Sequence, residues 1–406
     1  MTSPPLDPAL AVVGSIVPDD DRFYGPAFNR AAQMFQDELI YAVSRAGLSD
    51  IEVLSIEPIP AFPRIKRIFG RTGTEVSRRG IHIRLLPFVN IHPLKVLTSG
   101  LSTMTALLKW AWRHRGSPRV IHAINLSVPP GVFIWLAARL SRSRVSVSVL
   151  DVWKPGHLVP DSLARRFDFW MQRRLLPRFD GHMVVAASIA DDFLSGRSVC
   201  LLEGGIAADR FASSGEAPAS SGDDRFRIVL AGSLESYNGL RLVEGAMRML
   251  PEDYELVIAG TGSLDGLARE WADRDPRIRF LGFLPFEEVL DLYQSAHLLL
   301  NARITKAIDT RYFFPSKLME LLASGTPVLS TCTGHVESEY GHVLYLLRDE
   351  TPEALAARIE EIRGVADDER RELGRRAREF MLTEKTWHRQ GERLADYLRR
   401  EVLRVA

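Results

Sequence analysis

The chain has 406 residues, 46% hydrophobic and 25% charged, with 52 Lys+Arg, 51 Asp+Glu and two cysteines. These values fit a globular protein of two or three domains and exclude a disordered, collagen-like or disulfide-stapled chain, while a net charge of +1 names no partner. No basic segment followed by an apolar core opens the sequence, and the longest apolar run, 128–138, is short and broken by Pro129, Pro130 and Gly131, so a cytoplasmic protein is expected.

Along the chain, short β-rich runs alternate with helical patterns. Residues 10–17, 51–56, 81–86, 120–124, 145–150 and 182–187 read as strands, with helices at 26–46, 93–114, 130–140 and 162–176. Within this half, residues 60–115 hold 11 basic residues and one acid, Glu75, interleaved with Phe, Ile, Leu and Trp. That pattern suits contact with an anionic membrane surface, against the plainer reading of a solvated basic face. The run ASSGEAPASSGDD, residues 212–224, is small and polar and reads as a linker. Beyond it lie strands at 227–231, 255–259, 278–281, 298–301, 328–331 and 343–347, and helices at 240–250, 264–274, 286–295 and 316–323. Helices at 353–363, 369–380 and 387–403 close the chain. Strands separated by such helices imply two doubly wound parallel sheets, with ligands at the carboxyl ends of the strands. The expected division is a domain at 1–212, a linker at 213–224, a domain at 225–385 and a final helix at 386–406.

The segment YFFPSKLMELLASGTPVL, residues 312–329, carries the most chemistry. Pro315 suits the first turn of a helix and Gly325 its end. The helix between is apolar apart from Lys317 and Glu320, which implies burial and requires a partner for the carboxylate. Only 7 of the 52 basic residues are lysines, and Lys317 sits where the helix dipole disfavours a cation. Two readings stand: an i,i+3 ion pair, or a ligand site in which the helix N-terminus and Lys317 meet a phosphate while Glu320 accepts from hydroxyls. VLAGSLESYNGL, residues 229–240, is a strand–turn–helix without the Lys-Ser/Thr of a P-loop; its amides suit phosphate, or it is a plain turn. Gly260-Thr261-Gly262 follows a strand, but Asp265 fills the third glycine position of a dinucleotide fingerprint, which disfavours a nicotinamide enzyme. Histidine spacing and the lack of a Gly-x-Ser-x-Gly elbow argue against a zinc enzyme and a serine hydrolase.

The run RYFFPSKLMELLASGTPVL, with LVIAGTGSL, IRFLGFLPFEEVLDLYQSAHLLLNAR and AGSLESYNGL upstream, resembles the donor lobe of bacterial GT-B glycosyltransferases, in particular family 4 and its exopolysaccharide branch. FNRAAQMFQDELI and the segment ending CLLEGGI resemble the N-terminal lobe more loosely. The resemblance implies two Rossmann-like α/β domains facing across a cleft, an N-terminal one for the acceptor and a C-terminal one for a nucleotide-sugar donor, UDP- or GDP-linked. A last helix would cross back to the N-terminal lobe. It implies that Glu320 binds the ribose and Lys317, beside Ser316, the diphosphate. Gly232, Ser233 and Asn238 would lie by the phosphates, Gly260 and Gly262 along the nucleotide pocket, and Phe283 near the base. Gly14 and Ser15 would form a loop under the donor sugar. Relatives often carry a glutamate where Tyr312 stands, and an Arg/Lys pair where Ser233 and Asn238 stand, which leaves phosphate neutralisation to Lys317, Arg303 or Arg311. Asp151 and His157 follow the strand RVSVSVLD and are candidates to assist the acceptor hydroxyl, against a loop-capping Asp and a surface His.

The expected activity is sugar transfer, with retention, to a lipid-linked or small-molecule hydroxyl acceptor in cell-surface polysaccharide assembly. No bound metal or cofactor and no nucleic-acid partner is expected. A nucleotide-sugar-binding protein without transferase activity, or a GT-B epimerase, is the rival reading.

Overall fold

Apolar runs buried on both faces make the strands of the first sheet, as in β1 (Ala9–Gly14), where five consecutive residues are buried. In the computed structural model, residues 8–125, 130–152, 154–156, 161–212, 225–306 and 310–404 are described. The expected linker 213–224 and the candidate His157 lie outside them. After β1 come α1 (Arg30–Arg45), β2 (Ile51–Ser55), β3 (Gly73–Val76), β4 (His82–Leu85), α2 (Leu94–Arg113), β5 (Arg119–Ile124), α3 (Pro130–Ser141), β6 (Arg144–Val149), α4 (Leu163–Leu175), β7 (Gly181–Val184), α5 (Ala187–Phe193) and β8 (Val199–Leu201). The sheet order is β3-β4-β2-β1-β5-β6-β7-β8. The steps β4 to β5, β5 to β6 and β6 to β7 all run the same way across the sheet. Right-handed crossovers therefore put α2, α3 and α4 on one face, and α1, whose step runs the other way, on the opposite face.

The second sheet is built from α6 (Asp209–Ala212), β9 (Phe226–Ala231), α7 (Leu240–Met247), β10 (Tyr254–Ala259), α8 (Asp265–Arg274), β11 (Ile278–Gly282), α9 (Phe286–Gln294), β12 (Leu298–Asn301), α10 (Ser316–Ala323), β13 (Val328–Thr331), α11 (Val336–Tyr340), β14 (Tyr345–Leu347), α12 (Pro352–Gly364) and α13 (Asp367–Glu384). Its order is β11-β10-β9-β12-β13-β14, parallel throughout. Ile228, Leu230, Leu256 and Ile258 pack on one face, and Val229, Ala231, Val257 and Ala259 on the other, as the two-residue period of a strand requires. Strand order reverses between β9 and β12, so a crevice opens at their carboxyl ends.

The chain then returns to the first sheet. Helix α14 (Trp387–Tyr397), continued by a π turn over Leu398–Leu403, lies along α1, where a Cβ on Gly391 would stand 2.5 Å from the Ala42 carbonyl carbon. The Tyr397 hydroxyl accepts from the His182 amide at 2.9 Å and donates to the Ser198 carbonyl at 2.8 Å. Two units result, Met1–Gly204 with Trp387–Ala406, and Gly205–Thr386.

Several expectations need correction. The first unit ends at Gly204 rather than 212, because Ile206 and Phe211 are buried in the core of the second. The first sheet is not wholly parallel: β3, unread in the sequence, pairs antiparallel with β4. The strand expected at 182–187 ends at Val184, since α5 starts at Ala187, and the one expected at 343–347 starts at Tyr345. Within the basic stretch 60–115, six arginines share three carboxylates that precede it in sequence. Arg67 and Arg71 meet Glu57, whose side chain is 1% exposed, at 2.6 and 2.7 Å. Arg78 and Arg79 meet Glu38 at 2.6 and 2.7 Å, while Arg84 and Arg113 meet Glu52 at 3.3 and 2.5 Å. The Lys95 ammonium donates to the Ile59 carbonyl.

Candidate functional site

The crevice at the β9/β12 switch point is a real pocket. It is lined by the end of β9 and its turn (Gly232, Ser233), by Asn238, by the end of β12 (Asn301, Ala302, Arg303) and by the start of α10 (Pro315, Ser316, Lys317). Local sequence explains each wall. Gly232 has φ of 144°, a region that favours glycine, and turns the chain out of β9. The Asn238 amide donates to the Ser233 carbonyl and hydroxyl at 2.7 and 2.8 Å, which closes the turn. Gly239 starts α7, and a Cβ there would lie 1.9 Å from the Ala302 carbonyl oxygen. The loop after β12 is held by the Thr331 hydroxyl on the Arg303 carbonyl at 2.7 Å, and by the Ile304 amide on the Tyr237 carbonyl at 2.8 Å.

Helix α10 is anchored by buried Leu318, Met319, Leu321, Leu322 and Ala323, and ends at Gly325 with φ of 86°. No side chain caps its first turn, so its amide end is presented at the pocket. The Lys317 ammonium donates to Glu320 Oε2 at 2.6 Å and stands 5.6 Å from the Tyr293 ring centre. Burial alone would push Lys317 down, but Tyr293 and Glu320 outweigh it and hold the ammonium above its usual range. The ion-pair reading is therefore formed, and the same lysine lines the pocket. Glu320, one turn further along α10, is not among the lining residues and is linked to the pocket only by its bond with Lys317.

Arg303 lies over the Tyr237 ring at 5.5 Å. Its guanidinium makes no ion pair or hydrogen bond with a described residue, and burial pushes its pKa down. The pocket thus holds two cations, only one of which has a carboxylate partner.

Other expected residues do not line this pocket. Gly260 and Gly262 shape it from behind: Cβ atoms there would fall 1.8 Å from the Gly232 carbonyl oxygen and 2.6 Å from the Leu234 carbonyl carbon. Their role in this structure is close approach between two turns. Phe283 is 75% exposed and Arg311 lies over the Tyr312 ring at 5.3 Å; neither reaches the pocket walls. In the first unit, the Ser15 amide donates to Gln36 Oε1 at 3.0 Å and the Gln33 amide to the Ser15 carbonyl at 2.8 Å, while a Cβ on Gly14 would meet Gln36 at 2.5 Å. Asp151 follows β6 and accepts from the Asn125 amide at 2.9 Å. Sequence reasoning missed Asn125, whose φ of 58° marks a strained turn, and Tyr237 and Tyr293, the rings beneath the two cations.

Two family models match the chain, a glycosyl transferase-like model over residues 240–396 and a glycosyl transferase 4-like domain over residues 36–199. The chain is a GT-B glycosyltransferase, resembling family 4. No curated protein matches the glycosyltransferase in sequence. Among solved structures it is similar to HepE of Anabaena in complex with UDP, at 13% identity over 96% of this chain and 99% of that one, with a TM-score of 0.65. It is also similar to the sucrose-phosphate synthase of Thermosynechococcus elongatus, at 16% identity over 97% and 98%, with a TM-score of 0.64. The lipopolysaccharide outer core galactosyltransferase WaaB matches at 12% identity over 96% and 99%, with a TM-score of 0.63. At these identities the structural likeness is one of fold.

Proposed function

We propose that this glycosyltransferase takes its sugar from a nucleoside diphosphate donor seated in the β9/β12 pocket. It passes the sugar, with retention, to a hydroxyl of a lipid-linked or small-molecule acceptor in surface-polysaccharide assembly. The observation that carries the reading is Arg303, a cation with no described anionic partner, beside Lys317 and the uncapped end of α10. A diphosphate supplies the missing anion, and as leaving group it gains charge in the transition state, where fixed cations and amides stabilise it most. Lys317 then bridges phosphate and Glu320, which leaves Glu320 to accept from the ribose diol. UDP is the favoured nucleotide, because HepE was solved with UDP and with UDP and glucose. Asp151 and His157 are assigned to the acceptor hydroxyl.

Thermal melting in UDP, GDP, TDP and ADP tests the nucleotide: the one that binds raises the melting temperature, with a stabilisation that grows as the logarithm of its excess over Kd. Glu320→Gln should weaken that nucleotide by about 1.5–3 kcal/mol while leaving the fold intact. Sugar transferred from the matching donor to an added acceptor supports the reading. An isomerised donor without acceptor would make the protein an epimerase, and no melting shift with any nucleotide would remove the donor site.

A further inference from the structure

Helix α4 is built unlike the other long helices. Of its 13 residues only Leu175 is buried, whereas α1 buries eight of 16. An exposed helix is ordinarily polar. Here Leu163, Phe167 and Trp170 are 84%, 58% and 48% exposed. Their spacing of i, i+4 and i+7 sets them in one stripe, and the Phe167 and Trp170 rings lie 5.9 Å apart. Arg166 and Arg173 flank that stripe on one side, and Arg174 closes its C-terminal end, over the Trp170 ring at 5.2 Å. Arg165, Arg173 and Arg174 make no ion pair with a described carboxylate. α2, on the same face of the sheet, exposes Leu94, Leu97 and Leu101 at i, i+3 and i+7.

We propose that α4, seconded by the exposed leucines of α2, docks the first unit on an anionic phospholipid surface. Aromatic and aliphatic side chains in one stripe, bordered by arginines, are the composition of a helix that lies in the plane of a bilayer interface. Two alternatives fit less well. Arg166 is held by Asp161, but a second copy paired face to face would bury Arg173 and Arg174, which have no described carboxylate partner, against an apolar stripe. A single-stranded nucleic acid would use the arginines and the rings by stacking, but has no use for the most exposed residue of the stripe, Leu163. The proposal stands apart from the nucleotide pocket. It also moves the cationic part of the membrane contact to α4, because the arginines of the stretch 60–115 are mostly held by Glu38, Glu52 and Glu57; of that stretch only the exposed leucines of α2 take part.

The experiment is co-sedimentation of the full chain with vesicles of phosphatidylcholine alone, or mixed with phosphatidylglycerol, across a salt series. The expected result is pelleting that needs the anionic lipid and falls as salt rises. Arg173→Ser with Arg174→Ser should lower the partition coefficient about thirtyfold, taking roughly 1 kcal/mol for each cation near an anionic surface. Phe167→Ser with Trp170→Ser should lower it at high salt as well, where only the apolar contact remains. All four positions are exposed, and an unchanged melting temperature confirms the fold of each variant. Wild type that stays in the supernatant with anionic vesicles at low salt overturns the proposal. So does unchanged pelleting of both double variants, or binding to single-stranded RNA or to itself through these residues in the absence of vesicle binding.

Discussion

Replacing Arg303 by alanine separates the diphosphate from the rest of the donor. The guanidinium lines the pocket at the end of β12, over Tyr237 at 5.5 Å, and no described carboxylate faces it. Burial disfavours its charge, yet an arginine starting above 12 stays protonated at neutral pH. A nucleoside diphosphate adds charge-assisted hydrogen bonds worth about 1.5–3 kcal/mol, so Arg303→Ala should weaken UDP roughly ten- to a hundredfold. Stability without ligand should move little: a cation–π contact of about 0.5–1 kcal/mol is lost, and an uncompensated buried charge is relieved. Titration calorimetry of UDP and uridine on both proteins reads the difference. UDP affinity should fall while uridine affinity holds, and Arg303→Lys should restore only part of the loss, since a point charge replaces a planar fork. Equal weakening of UDP and uridine, or an unchanged UDP affinity, would refute the assignment of the phosphates to this arginine.

Three further outcomes are expected. Glu57→Gln leaves Arg67 and Arg71 without their carboxylate and should destabilise the protein by about 3 kcal/mol in urea unfolding at pH 7. Burial alone would raise the Glu57 pKa, but Arg67 and Arg71 hold it below the usual range; its contribution is therefore complete above the unfolded value near 4.5 and fades as pH falls through the folded one. His122 is buried between the Ser146 and Ser148 hydroxyls at 2.8 and 2.7 Å, and burial lowers its pKa to about 4. The unfolded chain thus binds the extra proton first, so stability should drop by roughly 3 kcal/mol between pH 6.5 and 4, and His122→Gln should remove that part of the slope. Gly260→Ala combines a φ of 131° with a Cβ 1.8 Å from the Gly232 carbonyl oxygen; it should lower the melting temperature and, by displacing the Gly232 turn, weaken nucleotide binding.

The parts of the fold legible in the sequence were those with strong local signals. Pro315 and Gly325 bracket α10 within a residue, and β9, β10 and β12 are apolar runs buried on both faces. β3 escaped because GTEV is an edge strand, mostly exposed and without an apolar period. The domain boundary was misplaced because composition marks where the chain becomes polar, whereas Ile206 and Phe211 follow packing and had already joined the second core. At the site, Lys317 and Glu320 were readable because a charged pair on an apolar helix is costly unless used. Arg303 was readable only as one arginine among 45, since its lack of a partner is a fact of three dimensions. The basic stretch shows the converse: its carboxylates were visible in the sequence at Glu38, Glu52 and Glu57, but nothing local joins them to arginines such as Arg71, 14 residues away, or Arg113, 61 residues away.

The return of α14 to the first sheet has a consequence for the order of events at the ribosome. The second unit is one continuous stretch, Gly205–Thr386, and leaves the ribosome whole. The first unit must wait for Trp387–Ala406, because Leu394 and Leu398 cover Leu39, Ile40 and Val43 of α1 and the strands behind them. During synthesis that apolar face stays open for the time needed to translate nearly two hundred residues. A stop codon before Trp387 therefore injures the N-terminal half of the molecule: it should leave an aggregation-prone first unit attached to a folded second one.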